Sequence, residues 1–204
     1  MRTLKPAVFA LCLTPLAWLV WQAAAGGLGA NPIEAVNRFL GDWALRFLLI
    51  TLSVTPLRDA TGWAGWVRLR RMLGLFAFAY AFLHVASYVG LDQFFAWPEI
   101  WADIVKRRYI TVGLLVFTAL AVLAATSPKA IIKRLGGRRW KKLHTLAYMA
   151  GVGAVFHYFM MIKADLLLPS VHAAVLAALL GWRLAGRLKR QGKNTAARRK
   201  IQTV

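Results

Sequence analysis

Four histidines are the residues in this chain best suited to chemistry: His84, His144, His157 and His172 all fall in or at the edge of long apolar stretches. An ionisable side chain at membrane depth is costly and by default marks function. The chain has only seven Asp and Glu, so there is no matching set of buried carboxylates to build a proton relay. Neutral imidazoles inside a helical bundle instead suit axial ligation of haem iron. The single Cys12 excludes an internal disulfide and a thiolate iron–sulfur cluster. The chain also lacks a Cys-x-x-Cys-His sequence for covalent haem attachment.

Depth sorts the four. His84 lies 13 residues beyond Arg71, and His157 lies 15 beyond Lys142. At ~1.5 Å per residue, both sit about 20–22 Å from the basic boundary of their helices. Two imidazoles at one level on two helices are what a bis-histidine haem requires; the alternative is an interhelical hydrogen-bonding pair. His144 precedes His157 by 13 residues, a plausible spacing for a second haem. On an ideal straight helix, however, it points ~140° away, and Arg71 stands where a partner histidine would be needed. His144 is therefore either a further ligand or an interfacial histidine beside Lys141 and Lys142. His172, at the head of the last apolar stretch, reads as interfacial. Arg46 is a candidate partner for a haem propionate. A local pair with Asp42, four residues earlier, is the alternative.

These residues need helices to hold them. Apolar residues form 59% of the 204-residue chain and charged residues 17%, against roughly 45–50% and about 25% in soluble domains. Together with a formal charge of +20, this describes membrane spans with basic loops and excludes a nucleic-acid binder. Six stretches qualify: Pro6–Ala25, Trp43–Leu57, Met72–Leu91, Tyr109–Thr126, Leu143–Ile162 and Leu166–Trp182. The second is short and must borrow residues from its flanks. The first is too long for a signal peptide and reads as a retained anchor. The expected fold is an all-α polytopic bundle of six transmembrane helices. One electron-transfer domain covers 1–186, and a basic tail covers 187–204.

Orientation follows from Lys and Arg. With the amino terminus inside, segments 1–5, 58–71, 127–142 and 183–204 hold 21 of the 27 basic residues, and the outer segments hold 5. Positive charge resists translocation, so both termini are expected in the cytoplasm. The tail also reads as a polybasic segment against anionic headgroups. No dinucleotide or ATP motif occurs, so electrons must come from a lipid-soluble donor or a separate flavoprotein.

The ordered set Gly27-Leu-Gly-Ala-Asn-Pro-Ile-Glu34, Thr55-Pro-Leu-Arg58, Arg70-Arg-Met-Leu-Gly-Leu75, Leu83-His84, Arg108-Tyr-Ile-Thr-Val-Gly113, Leu135-Gly-Gly-Arg-Arg-Trp-Lys-Lys-Leu-His144 and His157-Tyr158 resembles the MsrQ (YedZ) family. That family supplies the haem-binding membrane subunit of the bacterial periplasmic protein-methionine-sulfoxide reductase system. The resemblance spans residues 26 to 160, and His84, His144 and His157 match the family's histidine positions; His172 matches none. It implies a ferric-reductase-like transmembrane domain in the bacterial inner membrane, carrying haem b and FMN. It also implies electrons from the quinone pool and a periplasmic molybdopterin-containing reductase as acceptor. On this reading the chain is an electron-transfer subunit and its partner reduces the sulfoxide. A stand-alone ferric or cytochrome b561-like reductase is the alternative. Trp97 and Trp101, four apart in the outer loop, are candidates for the partner's docking anchor or for an aromatic interface belt.

Overall fold

The structure is a computed structural model that describes residues 4–162 and 165–202, without the side chains of Arg190 and 192–202. Every regular element among the described residues is helical. In order they are α1 (Leu4–Ala24), α2 (Pro32–Thr61), α3 (Gly65–Ser87), α4 (Trp97–Lys106), α5 (Arg108–Ala125), α6 (Lys129–Leu135), α7 (Gly137–Leu143), α8 (Leu146–Met161) and α9 (Leu167–Gln202). A π-helical turn, Tyr88–Asp92, extends α3.

The long α2 organises the bundle. Asn31 caps its first turn by accepting a hydrogen bond from the Glu34 N–H at 3.3 Å, with Pro32 at the first helical position. Both are standard start signals. At the other end Gly62 takes φ 69°, and its N–H closes on the Arg58 carbonyl. That left-handed cap reverses the chain into α3, making an antiparallel pair. One face of α2 (Leu40, Ala44, Phe47, Leu48) packs with Leu69, Leu73, Phe76, Ala77 and Tyr80 of α3. The other (Leu45, Leu49, Leu52) packs with Val155 and Tyr158 of α8 and Leu176 of α9.

Small residues set the close approaches, as expected where lipid removes the hydrophobic drive between helices. A Cβ on Gly153 would stand 2.7 Å from Val116 of α5. A different device attaches α1. The Tyr80 hydroxyl donates to the Cys12 carbonyl at 2.9 Å and accepts from the Leu16 N–H at 3.1 Å. These are the two ends of the rung beside Pro15, where the helical ladder is interrupted. The outward faces carry Leu11, Trp21, Phe82, Leu115, Met149 and Phe156, all exposed and apolar, as a lipid-facing surface should be.

Among the described residues, five helices are long and apolar enough to cross a membrane: α1, α2, α3 with its π turn, α5 and α9. The second expected stretch does borrow from its flanks, since α2 runs for 30 residues. The expected stretch Leu143–Ile162 corresponds to α8, whose 16 residues reach ~24 Å, short of the ~30 Å hydrocarbon core. Length and composition therefore support five spans, and the expectation of six is not established. α9 continues as helix to Gln202, so the backbone has no boundary at the expected start of the tail, residue 187. The outer segment 92–108, expected to be loop, contains α4.

Candidate functional site: a paired-histidine centre

The ends of four helices converge at one end of the bundle: the start of α2, the end of α3, the start of α5 and the end of α8. His84 and His157 meet there, with ring centroids 6.4 Å apart and planes at 77°. The His84 Nδ1 donates to the Asn37 carbonyl at 2.9 Å. The His157 Nδ1 donates to the Tyr109 carbonyl at 2.7 Å. A proton held on Nδ1 leaves the lone pair on Nε2, the arrangement typical of ligating histidines.

The surroundings hold both rings. Asn37 Nδ2 donates to Ser87 Oγ at 3.2 Å, and Ser87 Oγ donates to the His84 carbonyl at 2.9 Å. Ser87 is buried and is the last residue before the π turn. Two glycines make room for the imidazoles. A Cβ on Gly41 would lie 3.2 Å from the His84 ring, and one on Gly113 would lie 2.9 Å from the His157 Cε1. A metal–imidazole bond is about 2.0–2.1 Å, so two such bonds plus two ring half-widths come to roughly 6 Å. The donor set and the 6.4 Å centroid separation are therefore of the size that one iron ligated by both imidazoles would need.

Above this level Asp103 of α4 ties the cap together. It accepts from the Tyr88 hydroxyl at 2.9 Å and pairs with Arg107 Nε at 2.9 Å. Phe94 and Phe95 both adopt positive φ (46° and 60°) in the connection to α4. For bulky side chains that conformation is strained. Trp97 and Trp101 are exposed on one face of α4, with Ile100 buried beneath.

The other candidates fall in different places. Arg46 pairs with Asp42 at 3.4 Å, and its guanidinium carbon lies 5.0 Å above the Trp43 ring. Both residues follow Gly41 on α2, so the pair adjoins the centre. His144 stands apart, in the turn between α7 and α8. It stacks on Trp140 at 3.9 Å between centroids and contacts the Trp140 carbonyl through Nδ1 at 3.2 Å. The helix break at His144 removes the basis for relating it to His157 along one straight helix. His172, expected near the interface, is buried within the protein (7% exposed), with Nδ1 on the Leu168 carbonyl at 2.7 Å and its ring against Tyr158. Asn37, Ser87, Gly41 and the Tyr109 carbonyl were not picked out from the sequence, because the contacts that give them a role cross between helices. A glycine inside an apolar helix was the one available signal.

Residues 40–155 match the family described as ferric reductase like transmembrane component. The chain is a multi-pass membrane protein of that class. Within it, the chain belongs to the MsrQ family. It is 52% identical to the protein-methionine-sulfoxide reductase heme-binding subunit MsrQ of Rhodospirillum rubrum, over 93% of this chain and 91% of that one. The same-named proteins of Caulobacter vibrioides (44%; 94% and 89% covered) and Xanthomonas euvesicatoria (46%; 96% and 91% covered) are also similar. Family and fold support a membrane electron-transfer role.

Proposed function

We propose that this chain carries electrons across the bacterial inner membrane through haem b held between His84 and His157. The observation that carries this reading is the 6.4 Å ring pair, each ring with Nδ1 on a backbone carbonyl. Bound there, haem iron supplies a one-electron Fe(III)/Fe(II) couple. The protein's part is to hold the two imidazoles in one tautomer, through the Asn37 and Tyr109 carbonyls, so that each Nε2 keeps the lone pair that would ligate the iron. Gly41 and Gly113 keep the space behind the rings clear. Arg46, with one contact to Asp42, retains donors for a propionate carboxylate. His144 is a further candidate ligand on the far side of the bundle.

The family resemblance extends this reading. The donor is membrane quinol, with FMN as a second cofactor, and the acceptor is a periplasmic molybdopterin-containing methionine-sulfoxide reductase, which performs the reduction itself. Six membrane crossings, α8 included, and cytoplasmic termini accord with the distribution of basic residues.

The test is haem stoichiometry with reduced-minus-oxidised spectra of the His84→Ala, His157→Ala and His144→Ala proteins. Loss of the main low-spin signal in the first two is expected. An unchanged spectrum in either removes the pairing. Co-purification of the chain with a molybdenum protein separates this reading from a stand-alone reductase.

A further inference from the structure

The opposite end of the bundle holds a second constellation, ~21 Å along α2 from Gly41 to Thr55. A cavity of about 240 Å³ opens there, lined by Thr55, Arg58, Asp59, Tyr148, Arg183 and Arg187, with Trp182 at its rim. Arg183 forms its floor. Its guanidinium donates to the Leu52 carbonyl at 2.8 Å, to Thr55 Oγ1 at 3.3 Å and to the Tyr148 hydroxyl. Its Nε is buried without a partner. Arg70 donates to Thr55 Oγ1 from behind.

The charge balance is one-sided. Among the described residues at this end, four arginines (58, 70, 183 and 187) accompany one carboxylate, Asp59, and Arg58 already holds it through Nε at 3.0 Å and a terminal nitrogen at 2.6 Å. Like charges gathered at a membrane boundary are unfavourable unless an anion joins them. A guanidinium cluster matches phosphate oxygens through paired N–H donors. Trp182 of the lining is exposed and apolar, and so are Leu184 and Leu188, each one residue beyond an arginine of the cavity on α9. A basic cavity with Trp182 in its lining, on a helix whose neighbouring Leu184 and Leu188 are exposed, suits the headgroup of a lipid whose chains lie along α9.

We propose that this cavity binds a phosphate group, supplied by an anionic phospholipid lodged between α2, α8 and α9. The site is separate from the histidine pair and does not depend on haem. The same phosphate chemistry can come from a soluble ester, and the experiment distinguishes the two sources.

The full chain is placed in nanodiscs of phosphatidylcholine with increasing phosphatidylglycerol, and bound lipid is counted by native mass spectrometry alongside thermal melting. In separate samples of pure phosphatidylcholine, inorganic phosphate or glycerol 3-phosphate is added. Arg58→Gln/Arg187→Gln alters only the rim, and Lys129→Gln/Lys133→Gln removes equal charge from α6. The expected result is selective retention of phosphatidylglycerol with a raised melting temperature. Affinity should fall about tenfold in the rim variant, the scale of a lost charge-assisted hydrogen bond, and stay unchanged in the α6 variant. Rim-dependent binding of glycerol 3-phosphate or phosphate, without phosphatidylglycerol preference, supports the phosphate site and makes its source soluble. Equal losses in the two variants, or no rim-dependent binding in any sample, overturn the proposal.

Discussion

Asn37 holds His84 at two points. Its carbonyl accepts the imidazole Nδ1 proton at 2.9 Å, and its side chain donates at 3.2 Å to Ser87 Oγ, which donates to the His84 carbonyl at 2.9 Å. The bond to the ring comes from the Asn37 backbone, which any residue can supply. The bond through Ser87 needs the amide.

That division predicts a mild phenotype for Asn37→Ala. The ring keeps its acceptor, while the link between α2 and the end of α3 is lost, at a cost of about 0.5–1.5 kcal/mol. Haem content should stay near normal, with a small drop in melting temperature. Loss of haem in this variant would show that the side chain, not the carbonyl, orients the ring.

Gly113→Ala should be the more damaging of the two glycine substitutions at the centre. Its new methyl would stand 2.9 Å from His157 Cε1, against 3.2 Å from the His84 ring for Gly41→Ala. The His157 ring must tilt off its present line, so Gly113→Ala should lose most low-spin haem and Gly41→Ala only part. Electron paramagnetic resonance of the oxidised proteins reads both. Wild-type g values in Gly113→Ala would contradict the geometry.

Orientation is open to a direct check. A periplasm-active reporter fused at the end of the chain, beyond the described residues, should be inactive, and one inserted in 92–96 should be active. The reverse pattern would invert the bundle and place the histidine pair on the cytoplasmic side.

Trp97 and Trp101 stand exposed on α4, above the level of the paired rings. Replacing both by Ala should leave haem content unchanged while slowing reoxidation by the proposed periplasmic reductase several-fold, in line with loss of an aromatic anchor. Normal reoxidation would assign the two indoles to the headgroup region alone.

The paired histidines were legible in the sequence because helical rise is constant: counting residues from a basic boundary gives depth, and equal depth on two helices brings rings together. Asp42 with Arg46 was legible for a similar reason, since four residues make one turn. His144 was not. The sequence Lys-Lys-Leu-His-Thr contains no Gly or Pro to announce a break. Long-range contacts hold α7 where it is, among them the Trp140 Nε1 donating to the Thr126 carbonyl at 3.0 Å. The burial of His172 was not legible because it depends on Tyr158 from another helix. The short α4 was hidden inside a segment whose mixed charges resemble a loop.

The brevity of α8 bears on how far an electron must tunnel. His157 lies four residues before Met161, where the helix ends, so barely ~6 Å of axial rise separates the imidazole from the helix terminus. Tunnelling rates fall steeply with distance. On the proposed reading, a haem ligated by His157 would lie one helical turn from the end of α8, so a partner docked over the α4 cap could take its electron without entering the bundle.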